Sequence, residues 1–359
     1  ALVSTHDISG GAAIACFRLF KGLRKLGADV DLIVRWKKST CENVTQIPNY
    51  DNLTGKFKHN INNFIRKKLR NYSRKEIQNA RENNAYFSTD FVDFPIKRLG
   101  EVLKKYDVIN IHWSTHLLGL ENLEQYIYGK KIFFTAHDEY YLTGGCHISF
   151  GCERFKKICG KCPQLQSNQL RDMSFYNRKL KEGLFHRMNA HIITPSKWLY
   201  QQAQKSNVVP YRNINYIPLG IDTNVYFPED GSKPNISKKL NLDKDTDLVL
   251  AIAANLSSKV KGMELLIESI FKFNKCYNKA SSVKFIFVGS RGKLSCKMPE
   301  NSIMMGQIDS TVLLREVYSA ADLFLMPSIE EGFGQTCLEA LACGTPAIGF
   351  NIGGIPDMI

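Results

Sequence analysis

Short apolar runs alternate along the chain with longer stretches in which apolar residues recur every three or four positions. The runs predict strands at 1–4, 30–34, 108–112, 132–136, 191–194 and 214–218 in the first half. In the second half they predict strands at 248–253, 284–288, 303–306, 323–326 and 346–349. Runs that are apolar throughout, rather than at alternate positions, belong to strands buried on both faces, and intervening helices supply the cover. The pattern therefore predicts an α/β protein built on parallel sheets. Sheets of this kind bind ligands at the carboxyl ends of their strands. The residues just beyond each run are thus the candidates for chemistry.

Length and composition fit this reading. The chain has 359 residues, enough for about two domains, and 44% of them are apolar. No apolar run approaches the ~18 residues of a transmembrane helix, and no signal peptide is read. The opening residues 1–5 read as a first strand whose start is missing. Net charge is +14, and the excess is uneven. Between Lys56 and Arg81 there are nine Lys and Arg, with Phe57, Ile61, Phe64, Ile65, Leu69 and Tyr72 at helical spacing. This predicts a basic amphipathic helix, within an insertion at about 50–90. Its readings are a solvated surface helix, a face that docks on an anionic membrane leaflet, or, last, a segment that binds RNA or DNA. No zinc finger, helix-turn-helix or aromatic RNA platform accompanies the charge, so no nucleic acid is expected as partner.

Six of the ten cysteines are scattered. The other four, Cys146, Cys152, Cys159 and Cys162, are spaced Cys-x5-Cys-x6-Cys-x2-Cys within a knob at 143–163. The spacing fits a tetrahedral structural zinc site, with free thiols or two disulfides as alternatives.

The segment Glu331-Gly-Phe-Gly-Gln-Thr-Cys-Leu-Glu339 carries the most chemistry. An apolar run ending in Pro327-Ser328 precedes it, and a helical stretch at 336–342 follows, closed by Gly344 and Pro346. Strand, glycine turn and helix in this order expose backbone N–H groups at a helix N-terminus, where an anion is favoured. One carboxylate stands in the turn and one within the helix, so both can address one ligand. Phosphate on the amides and acids on hydroxyl groups suggest a sugar nucleotide. A second glycine turn, Gly10-Gly11, follows the first strand and opens a helix.

Glu-x7-Glu after Pro-Ser, followed by Gly344-Thr-Pro346 and Gly353-Gly-Ile-Pro356, resembles the signature of family-4 retaining glycosyltransferases. The Cys-rich knob resembles a bacterial subgroup that makes exopolysaccharide, capsule or lipopolysaccharide. The resemblance implies a GT-B fold: two Rossmann-like, doubly wound parallel-sheet domains facing across a cleft. The expected division is an acceptor-binding domain at 1–217 and a nucleotide-sugar domain at 218–359, hinged at Pro218-Leu-Gly-Ile-Asp222. Family members continue with further elements, so the second domain is expected to be incomplete.

The resemblance also implies roles. Glu331 contacts the donor sugar, as does His137. Gly332, Phe333, Gly334, Gln335 and Thr336 lie by the diphosphate, and Glu339 holds the ribose hydroxyls. Gly10 and Gly11 sit across from the diphosphate, while Gln307 and Ile308 meet the base. Lys261 neutralises the leaving diphosphate. The family's companion arginine is replaced here by Asn255, with Lys259 as the substitute cation. Asp7, His112, His116 and Asp138 are candidates for the acceptor side. No cofactor is required for catalysis. The expected partners are a UDP- or GDP-type sugar, a glycan or polyprenyl-linked acceptor, and an anionic membrane surface. The expected location is cytoplasmic, at the inner face of the membrane. The rival readings are another GT-B enzyme, an epimerase or phosphorylase, and a basic RNA- or lipid-binding protein.

Overall fold

A computed structural model describes residues 1–47, 86–88, 96–117, 119, 124–277 and 282–359. The basic segment from Lys56 to Arg81 lies outside the described residues. The chain divides into two compact units, Ala1–Leu219 and Gly220–Ile359.

The first unit is a seven-stranded parallel sheet of β1 (Leu2–His6), β2 (Leu32–Trp36), β3 (Val44–Gln46), β4 (Val108–Trp113), β5 (Lys131–Thr135), β6 (His191–Thr194) and β7 (Ile214–Tyr216). The strand order is β3-β2-β1-β4-β5-β6-β7. Alternate residues feed opposite faces. Leu2, Leu32 and Val34 meet Cys16 and Phe20 of helix α1 (Gly11–Lys25) on one face. Val3, Ile33, Ile109, Ile111, Phe134 and Ile192 enter the main core on the other. Both faces are covered, which is why the strands read as unbroken apolar runs.

The second unit repeats the plan with five parallel strands, β8 (Asp247–Asn255), β9 (Val283–Ser290), β10 (Ser302–Gly306), β11 (Leu323–Met326) and β12 (Ala347–Gly349). The order is β10-β9-β8-β11-β12. Leu248, Leu250, Ile286, Val288, Phe324 and Met326 fill one face, and Ala251, Ala253, Phe285 and Phe287 fill the other. In each sheet the order reverses beside the first strand of the unit, between β1 and β4 and between β8 and β11. Open α/β sheets bind ligands at such points.

Three details depart from the sequence pattern. β2 begins and ends later than 30–34, because its ladder with β1 runs to His6 opposite Trp36. β3 is a strand the pattern does not predict: three residues long, only Val44 buried, held at the edge by pairing with β2. Pro218 and Pro346 fall outside β7 and β12, as residues without an N–H do in a ladder.

Candidate functional site

In the second unit the chain leaving β8 makes a single turn of 3-10 helix, Lys259–Lys261, then enters helix α2 (Met263–Cys276) through Gly262. Gly262 has φ 63°, and a Cβ there would stand 1.8 Å from the carbonyl oxygen of Pro327. Only glycine lets the β8 loop press this closely on the end of β11. The Ile329 N–H donates to the Val260 carbonyl across the same junction, at 2.9 Å. The two loops at the switch point are thereby fixed to each other.

This junction brings Lys261 to Glu331, Nζ to Oε2 at 2.6 Å, although they are far apart in sequence. Ser328 Oγ donates to the same oxygen at 3.3 Å. The Glu331 backbone is held from behind by the Gly-Gly-Ile-Pro turn. The Gly354 N–H donates to its carbonyl at 3.0 Å, and a Cβ on Gly353 would lie 1.9 Å from that oxygen. Both partners keep some solvent exposure, so the pair is accessible to a ligand.

Helix α3 (Gln335–Ala342) starts four residues after Glu331, at the end of the Gly-Phe-Gly turn. Its N-cap is Gly334, at φ 104°; no side chain caps it and no acid lies in its first turn. The positive end of the helix is therefore presented uncompensated. Phe333, in the turn before it, is largely buried. Glu339, one turn further on, is buried and accepts from the Tyr318 hydroxyl at 2.8 Å. Burial, and then the Glu339 carboxylate, push the Tyr318 hydroxyl well above its ordinary pKa, so it remains a donor.

The remaining expected residues of this unit lie at the end of β8 and on the loops that follow β8 and β10. Asn255 uses Oδ1 to accept from the N–H and Oγ of Ser257, at 3.0 and 2.8 Å, so it organises its own loop. Lys259 is exposed on the 3-10 turn. Gln307 and Ile308 follow β10; Gln307 Nε2 donates to Asp309 at 3.0 Å, while Ile308 packs on the core.

The first unit carries a different centre. His112, in β4, and His137, just past β5, stand side by side with Nδ1 and Nε2 3.0 Å apart. One ring must donate to the other's lone pair, and a proton on both nitrogens would break the bond. Burial lowers the His137 pKa to about 4, against a partial lift from Asp138. Burial, and next the neighbouring His137, push His112 well below its ordinary value. The pair is therefore neutral near pH 7. Asp138 accepts from the Tyr140 N–H and pairs with His147 Nδ1, both at 2.8 Å. His147 is stacked between Trp113 and Tyr140 and reaches Ser88 Oγ at 2.7 Å.

Gly10 caps α1 at φ 91° with open space where a Cβ would stand, and Gly11 is the first helical residue. Asp7 is held by backbone donors. Its oxygens take the backbone N–H groups of Ile8, Lys38 and Ser39 at 2.8–3.0 Å, tying the loop after β1 to the loop after β2. Burial raises its pKa, but these donors outweigh it and hold the carboxyl below its usual range. His116 is exposed in a left-handed turn at φ 66°, and its carbonyl accepts from Arg35.

Sequence patterns missed Tyr318 and Ser88, whose roles depend on where helices and a distant segment dock. The four knob cysteines all line one small pocket, yet among the described residues no three His, Cys, Asp or Glu side chains stand ready to hold a metal. No described helix is long and apolar enough to cross a membrane.

The family description Glycosyltransferase Family 4 matches residues 9–225, and Glycosyl transferases group 1 matches 247–359. The chain belongs to glycosyltransferase family 4. An uncharacterized glycosyltransferase of Methanocaldococcus jannaschii is 25% identical across 98% of this chain and 79% of its own length. A D-inositol 3-phosphate glycosyltransferase of Segniliparus rotundus is 29% identical over 40% of this chain, a match that spans 33% of that protein.

Solved structures agree in fold. HepE of Anabaena, crystallised with UDP-glucose, has a TM-score of 0.66 at 14% identity, covering 100% of this chain and 82% of that one. WaaG, a glycosyltransferase involved in lipopolysaccharide biosynthesis, has a TM-score of 0.61 at 14% identity, covering 99% and 82%. This family-4 protein is thus a glycosyltransferase with the GT-B fold.

Proposed function

We propose that this glycosyltransferase takes its sugar from a nucleoside diphosphate sugar, held in the second unit around Lys261, Glu331 and Glu339. The observation that carries the reading is the Lys261–Glu331 pair at the β8/β11 switch point, directly before an uncapped helix N-terminus. A cation and a helix N-terminus suit a diphosphate leaving group and stabilise the charge it gains as the glycosidic bond breaks. The buried Glu339 carboxylate, set by Tyr318, suits a pair of ribose hydroxyls. Glu331 suits hydroxyls of the transferred sugar and keeps Lys261 in place before the donor arrives. UDP-glucose in the Anabaena neighbour supports a UDP-type donor.

On this reading transfer occurs with retention. No carboxylate is assigned as nucleophile, so the acceptor hydroxyl attacks on the face the diphosphate leaves, and the departing phosphate takes its proton. The acceptor is a glycan or polyprenyl-linked sugar in surface polysaccharide synthesis. Support for that context comes from the role printed for WaaG. The site works at the cytoplasmic face of a membrane.

A thermal-shift panel of UDP, GDP, ADP and CMP tests the donor site. A ligand at about a hundredfold over its Kd stabilises the folded chain by about 2.7 kcal/mol. One diphosphate should raise the Tm of the wild type and do so much less in Glu339→Gln, which can still accept from Tyr318. No shift with any nucleotide would remove the donor reading.

A further inference from the structure

The knob between β5 and the helix Met173–Arg187 has no part in the donor site, yet it is built around sulfur. Cys146, Cys152, Cys159 and Cys162 converge from separate turns on one pocket of about 20 Å³. That is room for a single water-sized or ion-sized guest. The sulfurs of Cys146 and Cys162 are in hydrogen-bond contact, and the other two lie within electrostatic reach of Cys146.

The surroundings are arranged for thiolates. The N–H groups of Gln164 and Leu165 point at the Cys162 sulfur, and the Gly144 N–H points at the Cys159 sulfur. Such N–H···S contacts favour sulfur in its thiolate form, the form that binds a metal. The Cys162 N–H is itself fixed by the buried Asp172 carboxylate at 2.7 Å. Glycines make the close approach possible: a Cβ on Gly144 would lie 2.1 Å from the Ser174 carbonyl, and one on Gly160 would lie 2.1 Å from that of Leu170.

Charge adds a second, independent argument. Arg178 and Lys181 are almost wholly buried on the same helix and act on the Cys159 sulfur. Arg178 donates from Nη2 to the Ser206 carbonyl and meets the Glu182 carboxylate at 3.7 Å, and Lys181 donates to the carbonyls of Tyr140 and Thr143; most of these partners are neutral carbonyls. Buried cations call for a buried counter-charge.

We propose that Cys146, Cys152, Cys159 and Cys162 bind one zinc-class divalent cation as a structural tetrathiolate. Four thiols release four protons to solvent and the ion brings two positive charges, so the centre carries a net charge of −2 beside Arg178 and Lys181. The four sulfurs line one pocket without forming a ready-made ligand cluster among the described residues, so binding requires them to draw together around the ion. Cys146 adjoins His147, which holds Asp138 beside His137. The ion therefore staples the segment that presents the histidine pair.

The test is metal content and a cobalt titration of the full chain. Elemental analysis should find about one zinc per chain. The stripped chain should take up one equivalent of Co²⁺ with the intense visible bands of tetrahedral cobalt thiolate, displaced by Zn²⁺. Cys159→Ser and Cys162→Ser should lose these bands, and Cys276→Ser, at an exposed position outside the knob, should keep them. If a knob variant does not fold, the wild-type titration decides alone. Four freely reactive thiols without a cobalt spectrum, or recovery of knob disulfides by mass spectrometry, would overturn the proposal.

Discussion

The two units place their polar centres at equivalent positions, the carboxyl edge of a parallel sheet near its switch point, and build them by opposite means. Lys261 and Glu331 are a charged, partly exposed pair, held by backbone pressed through glycines. His112 and His137 are a neutral pair, packed where burial suppresses their charge. The difference teaches what each edge can do. The charged edge can meet an anion. The histidine edge can offer hydrogen bonds that do not change with small shifts of pH around neutrality.

The largest expected effect breaks the charged side. Lys261→Ala should lower kcat by about 100–1,000-fold, the range for losing one preorganised group that stabilises developing charge. Lys259→Ala, at the exposed neighbour, should cost far less. Initial rates with the donor found by thermal shift check both. Equal losses would mean that proximity to Glu331 confers no advantage.

Tyr318→Phe is the next step down. It removes a donor from a buried carboxylate, worth about 1.5–3 kcal/mol for a hydrogen bond to a charged group, so the donor KM should rise about tenfold or more with kcat little changed. A fall in stability alone, with KM unmoved, would assign Tyr318 to packing.

These two predictions differ in how much of them the chain disclosed. Glu331, Gly334 and Glu339 were legible because strand, glycine turn and helix are neighbours in sequence. Tyr318 was not, since it reaches Glu339 from another helix (Thr311–Ala320). The histidine pair was half legible. Each residue ends an apolar run, but their contact requires β4 and β5 to be adjacent, which no local pattern states. The strands on both faces of a core announced themselves by unbroken apolar runs. β3 could not, with one buried residue in three. The backbone contacts of Asp7 could not be read from sequence for a related reason: its partners are N–H groups, which any sequence supplies.

The smallest expected effect tests the neutral side. The folded pKa of His137, about 4, lies below the ordinary 6.5 of an unfolded chain. Between these values the unfolded chain binds more protons, so stability falls as pH is lowered from about 6.5 towards 4. His137→Gln should flatten the dependence of Tm on pH in that window, with His112 still contributing. An unchanged slope would show that His137 is charged or exposed in solution.

The sheet order of the first unit also sets a timetable. β1 lies between β2 and β4, so it is made before both of its neighbours and the second is complete only at residue 113. At ~5–20 residues per second, a ribosome needs about 5–20 s to supply it. Through that interval an apolar strand waits with one edge unfilled. The burden of this architecture therefore falls during synthesis, on whatever shields the nascent chain, before either polar centre exists.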